Sequence, residues 1–312
     1  MTRIAVYLHH PEVECWNFSQ DHASRLRRLV PNCSVTVCRS QADFLVALPA
    51  TEIAVVWRFR QEWFDIGGNL RVVATPAAGR DYFFVNPPPG VEVFHGQFHG
   101  ELMAETVVGM LLAMTRGILK AADLQRDTSW PRADVAAGMR SLRGSHVVIL
   151  GFGSIGRWIG RLLKPFGIRL TGVCRTRTDR ADFMDDLDTV LVRSGLEQVL
   201  PSADHLVLCL PGTAETDDVL NVRTLGLLPP HATLCNIGRG NAVDEDALVQ
   251  ALHEGRLSGA CLDVCRNEPL PSDSVLRSCP NLWIMPHASA ISPAYLDLFV
   301  GELATRLARI HA

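Results

Sequence analysis

The sequence predicts an α/β protein built from two doubly wound parallel-sheet domains. Short runs of β-branched and apolar residues alternate with segments of helical periodicity in both halves of the chain, a pattern typical of parallel sheets covered by helices. A glycine-rich hexapeptide at 151–156 follows the first strand-like run of the second half. The proline- and glycine-rich stretch 86–90 cannot form regular structure and indicates a boundary region.

The first half contains four strand-like runs, at 4–8, 35–38, 53–57 and 72–75. Segments such as 23–30 and 41–48 lie between them and have helical spacing. None of these runs is followed by a phosphate loop. This half is expected to form a flavodoxin-like, parallel α/β domain that binds the substrate. A long amphipathic helix over about 100–125 is predicted to cross from one domain to the other.

The second half predicts six strands and the helices of a Rossmann dinucleotide-binding domain. Its strand candidates are 146–151, 168–174, 205–210, 232–237, 260–264 and 282–285. A helix is predicted at 244–254, and a last helix at 292–312 is expected to pack back on the N-terminal half. The predicted domains are therefore 1–99 with 289–312 for substrate and 100–288 for the dinucleotide, with the ligand in the cleft between them.

The three glycines of the hexapeptide stand where a strand turns into a helix. Gly151 permits the tight turn, Gly153 lets a pyrophosphate approach the backbone, and Gly156 lets helix and strand pack closely. The helix N-terminus at Ser154 and Ile155 offers free N–H groups and a positive dipole end to the phosphates. A bare glycine pattern is weak evidence, but the flanking strand and helix strengthen it.

The end of the second strand of this domain indicates which dinucleotide binds. An NAD site usually has an acidic residue there for the ribose hydroxyl. Here the strand ends in Arg175, Thr176, Arg177 and Thr178, with no acid before Asp179. Guanidinium and hydroxyl groups suit a 2′-phosphate, so NADP(H) is predicted in preference to NAD(H). The alternative is a solvated basic turn.

Composition excludes several other classes of protein. The 30 basic and 33 acidic residues give a net charge of −3, which favours neither nucleic acid nor an anionic membrane as a partner. The stretch 102–119 contains charged residues, so a membrane span is not expected, and 1–8 lacks a signal-peptide layout. No pair among the nine cysteines has zinc-ligand spacing, so no metal is predicted, and a reduced, cytoplasmic protein is expected.

Three polar side chains follow strands on the edge where the cofactor is expected to lie. Arg239 stands between two glycines, Glu268 lies in the loop after the strand at 260–264, and His287 follows the strand at 282–285. Taken singly, a solvated arginine, a surface glutamate and a structural histidine are the commoner interpretations. Because all three fall on one predicted edge, they form a candidate catalytic set.

The ordered motifs of the chain resemble those of the D-isomer-specific 2-hydroxyacid dehydrogenases. The matching segments are GFGSIG (151–156), LPGTAET (210–216), NIGRGNAVDEDAL (236–248), GACLDVCRNEPLP (259–271) and MPHASA (285–290). The resemblance covers the whole chain, is weakest in the N-terminal third, and is closest to the shorter glyoxylate/hydroxypyruvate reductases. Cys265 stands where an aromatic residue is common in the family, and Ala288 where glycine is common.

The resemblance implies a role for each residue of the candidate catalytic set. Arg239 would grip the substrate carboxylate and polarise the 2-oxo group, and His287 would supply the proton. Glu268 would bond the other imidazole nitrogen, orient the ring and stabilise its protonated form. Backbone N–H groups of Ala78 and Gly79 would hold the substrate carboxylate.

The resemblance also implies further contacts to the cofactor. Asp263 would hold the nicotinamide carboxamide. The other implied cofactor contacts are Leu210, Pro211, Thr216, Ile237, Gly238 and Ser289.

The activity these features predict is NADPH-dependent reduction of a small 2-oxo acid to the D-2-hydroxy acid. The resemblance alone implies a homodimer built around the helix at about 100–125. The alternative is a non-enzymatic NAD(P)-sensing regulator on the same scaffold. Arg58, Arg60 and Arg80 follow strands of the first domain and favour a substrate with a second anionic group. Their pairing with Glu62, Asp65 or Asp81 is the competing interpretation.

Overall fold

A computed structural model of the chain describes residues 1–80, 83–125 and 130–310. The chain divides into two compact units. Unit 1 contains Met1–His99 and Ala290–Ala312, and unit 2 contains Gly100–Ser289.

The described residues contain twelve β-strands. They are β1 (Thr2–Tyr7), β2 (Cys33–Val37), β3 (Ile53–Val56), β4 (Val72–Thr75), β5 (Glu92–His95), β6 (His146–Leu150), β7 (Arg169–Cys174), β8 (Thr189–Val192), β9 (His205–Leu208), β10 (Thr233–Asn236), β11 (Gly259–Leu262) and β12 (Leu282–Ile284). β5 and β8 were not predicted from the sequence. Both are four-residue strands at the edge of a sheet and are only partly buried, so their apolar signal is weak.

The α-helices of the described residues lie between many of these strands and after the last one. They are α1 (Gln20–Leu29), α2 (Gln41–Ala47), α3 (Trp63–Ile66), α4 (His99–Thr115), α5 (Ile118–Leu124), α6 (Arg132–Ala137), α7 (Ser154–Leu163), α8 (Leu196–Val199), α9 (Val222–Leu225), α10 (Glu245–His253) and α11 (Tyr295–Ile310). α11 packs against α1, where Arg25 NH1 donates to Asp297 Oδ1 at 2.7 Å.

The single helix predicted over about 100–125 is two helices in the structure. α4 ends at Thr115, and Gly117 adopts φ +67° before α5 begins. Apolar spacing continues through this break, which is why the sequence pattern indicated one helix. In the described residues no single helix is long and apolar enough to span a membrane, and α4 with α5 meets that test only as a pair bent by 61°.

Both sheets are parallel, and their strand orders confirm the predicted fold class. The sheet of unit 1 has the order β2-β1-β3-β4-β5, the flavodoxin-like arrangement. The sheet of unit 2 has the order β12-β11-β10-β9-β6-β7-β8, a Rossmann sheet with one more strand. The order reverses beside β6, so the loop that follows β6 lies at the switch point, where such sheets bind ligands.

Each sheet is buried beneath its helices. In unit 2, residues of β6, β9, β10 and β11 form one apolar core with α8 and α10. Cys235 and Cys261 are opposite each other in the β10–β11 register and are both buried. All nine cysteines lie in the described ranges and none forms a disulfide. The buried strands of each sheet therefore fix where the strand-end loops begin.

Candidate active site at the carboxyl edge of the unit 2 sheet

The glycine loop occupies residues 151–153, between β6 and α7. Gly151 has φ +99°, and a Cβ there would lie 2.6 Å from the carbonyl oxygen of Cys209, so only glycine fits. A Cβ on Gly156 would lie 2.5 Å from the Gly151 oxygen. A Cβ on Gly153 would meet nothing within 4 Å, and Gly153 is the N-cap of α7 without a side-chain cap. Two of the glycines are thus needed for packing, and the third leaves the helix N-terminus open.

The end of β7 carries the predicted basic group, but its arginines are paired. Arg177 binds Asp179 through two bonds of 2.8 Å, from Nε to Oδ1 and from NH2 to Oδ2. Arg157, from the first turn of α7, donates to Asp179 Oδ2 at 2.6 Å. Arg175 lies 3.4 Å from the carboxylate of Glu215. The turn is therefore a network of ion pairs, and Arg157 is a member that the sequence analysis missed.

The loops after β9 and β10 pack tightly on each other. A Cβ on Gly238 would lie 2.6 Å from the backbone nitrogen of Leu210. Buried Thr216 donates to the carbonyl oxygen of Pro211 at 2.7 Å, which closes the loop after β9. Four of the residues predicted to contact the cofactor are thus brought together here.

The turn after β10 presents Arg239. Asn236 is fully buried, and its amide binds both sides of the turn, accepting from Gly238 N at 3.1 Å and donating to Arg239 O at 3.0 Å. The guanidinium of half-buried Arg239 donates to Gly238 O at 2.8 Å. The backbone that carries this arginine is therefore fixed by a neighbour that the sequence analysis did not single out.

His287 and Glu268 form a hydrogen-bonded pair. His287 Nδ1 lies 2.7 Å from Glu268 Oε2, and Glu268 Oε1 accepts from Cys265 N at 2.9 Å. Burial by itself would raise the pKa of Glu268. The bonds from His287 and Cys265 and the positive charge of Arg239 outweigh burial and lower this pKa. Arg239 thus lies close enough to act electrostatically on the pair.

Asp263 fixes the segment that carries His287. Its side chain is 1% exposed, Oδ1 accepts from the N–H groups of Ala288 at 2.7 Å and Ser289 at 3.0 Å, and its carbonyl oxygen accepts from His287 N at 2.8 Å. His287 has φ +53°, in the left-handed region that non-glycine residues rarely adopt. Asp263 was predicted to hold a carboxamide. A carboxylate can accept further bonds, so that role stays a prediction.

The predicted substrate residues lie in unit 1. Ala78, Gly79 and Arg80 follow β4, in a loop anchored where Tyr295 donates to Pro76 O at 3.3 Å. Arg60 lies 3.8 Å from Glu62, so part of the competing interpretation is correct. Exposed Arg58 has no ion-pair partner within the described part of the chain, and Asp81 lies outside the described residues.

In the described ranges no cluster of three or more His, Cys, Asp or Glu side chains is arranged to hold a metal ion. The polar groups that do converge at this edge are one arginine and one carboxylate–imidazole pair. Such a set suits proton transfer to an oxygen that develops negative charge.

Comparison with known proteins gives the family. Residues 108–289 match the profile of the D-isomer-specific 2-hydroxyacid dehydrogenase NAD-binding domain. The chain is 33% identical over 238 residues to a glyoxylate reductase of Pyrococcus furiosus, covering 74% of this chain and 69% of the relative. It is 34% identical over 231 residues to a glyoxylate/hydroxypyruvate reductase B of Pectobacterium carotovorum, covering 70% and 69%.

Solved structures agree with the sequence comparison. A D-isomer-specific 2-hydroxyacid dehydrogenase of Xanthobacter autotrophicus, solved with NADPH and MES, superposes with a TM-score of 0.78 at 26% identity. The match covers 99% of this chain and 95% of that one. The chain therefore belongs to the D-isomer-specific 2-hydroxyacid dehydrogenase family.

Proposed function

We propose that this protein catalyses the NADPH-dependent reduction of a small 2-oxo acid to the D-2-hydroxy acid. The observation that supports it is the 2.7 Å pair of His287 and Glu268 beside Arg239, on the edge of the sheet that carries the glycine loop. Reduction of a ketone by hydride requires a proton donor and a cationic group at the carbonyl oxygen. The names of the two relatives favour glyoxylate or hydroxypyruvate as the class of substrate.

The glycine loop fits a dinucleotide. The open space at the Cβ position of Gly153 and the uncapped N-terminus of α7 suit a pyrophosphate, which would be held by the backbone of 151–156. Arg175, Thr176 and Arg177 would hold the 2′-phosphate, and this basic group favours NADPH over NADH. When bound, the nicotinamide supplies the hydride. The loops that carry Leu210, Thr216, Ile237 and Asp263 would line the rest of the cofactor site.

The geometry of the pair supports a proposed task for each side chain. Since Nδ1 of His287 is bonded to Glu268, Nε2 is the nitrogen that would give the proton to the substrate oxygen. The lowered pKa of Glu268 keeps its carboxylate charged near neutral pH, and that charge stabilises the protonated imidazole. Arg239 would bind the substrate carboxylate and polarise the 2-oxo group.

Unit 1 would supply the substrate pocket and unit 2 the dinucleotide site. The N–H groups of Ala78 and Gly79 would bind the substrate carboxylate. Arg58 and Arg80 are exposed, and a guanidinium there suits a second phosphonate, phosphate or carboxylate group on the substrate. On the family resemblance we also propose that the protein is cytoplasmic and forms a homodimer. Light scattering of the purified protein would test the homodimer.

The test is a substrate panel assayed with each reduced nucleotide. Glyoxylate, hydroxypyruvate and pyruvate would be compared with phosphonopyruvate, oxaloacetate and phosphohydroxypyruvate, following loss of NADPH or NADH by absorbance. We expect turnover with NADPH preferred at least about tenfold in kcat/KM, which is about 1.4 kcal/mol. Nucleotide binding without turnover of any 2-oxo acid would contradict the enzymatic function and favour a regulator.

Two variants separate the finer parts of the proposal. Replacing Arg175 and Arg177 together by alanine should remove the NADPH preference, mostly through KM for the nucleotide. Arg58→Ala should raise KM for the doubly anionic substrates only. If the monoanions are the better substrates and Arg58→Ala leaves KM unchanged, the proposal of a second anionic group on the substrate is wrong. The proposed reduction of glyoxylate or hydroxypyruvate is then retained.

A further inference from the structure

Three ion pairs join α7 and its C-cap, Lys164, to the loop after β7. They are Arg157–Asp179 at 2.6 Å, Arg161–Asp182 at 2.7 Å and Lys164–Asp185 at 2.8 Å. The three cations are spaced by four and three residues, so they lie along one face of the helix. The three acids follow each other at intervals of three. The cofactor helix and the loop are thus connected by a regular series of pairs.

The first pair differs from the second. Asp179 also receives the two bonds from Arg177, so one carboxylate holds two guanidinium groups. Hydrogen bonds from Arg177, together with the charge of Arg157, lower the pKa of Asp179 to about 2. Asp182, by contrast, pairs with Arg161 alone among the described residues. Asp179 is therefore ionised at any pH at which the protein would work, with both of its oxygens engaged.

Arg177 belongs to the basic group proposed for the 2′-phosphate of NADPH. A carboxylate and a phosphate accept from the same edge of a guanidinium, and two anions brought to one site repel each other. We propose that Asp179 is an internal competitor for this site. Its carboxylate occupies the donors of Arg157 and Arg177 in the free protein, and NADPH binding replaces it with the 2′-phosphate.

This inference rests on the proposed use of NADPH. It makes Arg157 a third guanidinium of the phosphate site, and it makes Asp179 the residue that limits the preference for NADPH over NADH. Arg177 is 71% exposed and Asp179 49%, so the pair can separate into solvent without opening the core. NADH has no 2′-phosphate and leaves the pair intact.

The experiment is calorimetric titration of the full chain with NADPH, NADH and adenosine 2′,5′-bisphosphate. The variant is Asp179→Asn, and Asp182→Asn is the matched control because it removes a neighbouring pair from the same helix and loop. In Asp179→Asn we expect Kd to fall at least about threefold for NADPH and for the bisphosphate, and to change less than about twofold for NADH. In Asp182→Asn all three values should stay within about twofold of the wild type.

Three results would overturn the inference. Weaker binding of the bisphosphate by Asp179→Asn would make the carboxylate an organiser of the arginines. An equal decrease in Kd for NADPH and NADH would show that Asp179 affects dinucleotide binding in general and does not compete with the 2′-phosphate. Unchanged Kd values would show that Asp179 does not affect nucleotide binding. Asp179→Ser, checked by thermal melting, repeats the test if the asparagine variant is unstable. The bisphosphate titration needs no turnover, so it decides the competition even if the wild type proves inactive or prefers NADH.

Discussion

Units 1 and 2 have similar parallel sheets but differ in the segment that joins the first strand of each to its first helix. In unit 2 the chain passes from β6 to α7 through residues 151–153, and the first turn of the helix has no side-chain cap. In unit 1 it passes from β1 to α1 through residues 8–19, and Ser19 caps the helix by accepting from His22 N. α2 is capped in the same way by Ser40.

Several polar groups of the unit 1 loop bond within it, although the buried Nε1 of Trp16 has no hydrogen-bond partner among the described residues. His10 Nδ1 accepts from Val13 N at 3.1 Å, His10 N donates to Asn17 Oδ1 at 2.7 Å, and the ring of Trp16 packs on that of Trp57. The sheet alone therefore does not make a phosphate site. A short loop and an unsatisfied helix N-terminus do, and of these two first-strand loops, both described by the structure, the one after β6 combines them.

The largest expected effect tests whether the chemistry belongs to unit 2. His287→Asn should lower kcat by about 10²–10⁴, or about 3–5 kcal/mol, with NADPH binding retained, because asparagine tolerates the left-handed backbone but cannot give the proton. The matched change in unit 1 is His99→Phe, which removes a buried bond to Tyr295. It should lower Tm and leave kcat within about threefold. Steady-state kinetics and melting curves of both variants check this, and the reverse pattern would refute it.

Acid should destabilise both units through buried histidines, of which His99 and His205 have the largest shifts. Burial lowers the pKa of His99 in unit 1 and of His205 in unit 2 to about 4. An unfolded histidine takes up its proton near pH 6.5, so the stabilisation is complete above that pH and is lost as pH falls towards 4. The loss is at most about 3 kcal/mol for each histidine.

His205→Gln tests the share of unit 2. Urea unfolding at pH 7 and pH 5 should show a smaller loss of stability in this variant than in the wild type, because one proton fewer is taken up on unfolding. Asp204 and His231 lie near His205 and are present in both proteins, so the difference between the two reports His205. An identical loss in both would contradict the assignment.

Substitutions in the glycine loop should distinguish the glycine needed for packing from the glycine that leaves space for the pyrophosphate. Gly153→Ala should leave Tm unchanged and raise KM for NADPH about tenfold, or about 1.4 kcal/mol, because its methyl group would stand in the space proposed for the pyrophosphate. Gly151→Ala should instead lower stability by about 1–3 kcal/mol, through its φ of +99° and its contact with Cys209. If Gly153→Ala binds NADPH normally, the loop is not the pyrophosphate site.

The smallest expected effect concerns the helix caps. Ser19→Ala should cost about 1 kcal/mol of stability, because the N–H of His22 loses its acceptor. It should leave KM for NADPH unchanged, which serves as the control for the glycine variants. A change in NADPH binding would show that the two helix N-termini are not independent.

Residues that follow neighbouring strands were easy to predict from the sequence. Arg239, Glu268 and His287 follow β10, β11 and β12, which are adjacent in the sheet, and the parallel order brings their loops to one edge. β5 and β8 were missed because short edge strands carry little apolar signal. The break at Gly117 was missed because helical spacing continues across it.

Side-chain pairing was beyond the reach of the sequence pattern. Arg157 and Asp179 meet across a helix and a loop, and their contact depends on the reach and rotamer of a long side chain. The same holds for Asp263, whose bonds to Ala288 and Ser289 follow from the close approach of the loops after β11 and β12. Spacing identified these residue types but gave no information about their partners.

Cys235 in β10 and Cys261 in β11 lie opposite each other, and their reactivity can report local unfolding of the unit 2 sheet. Burial and neighbouring thiols raise the pKa of Cys235 well above its ordinary value, and burial raises that of Cys261 to about 12. Only a thiolate reacts with disulfide reagents, so both thiols are unreactive while the sheet is folded. A reaction at either thiol therefore requires β10 or β11 to open locally and expose the cysteine to solvent. The rate of labelling, with and without nucleotide, measures how strongly a ligand holds the sheet together.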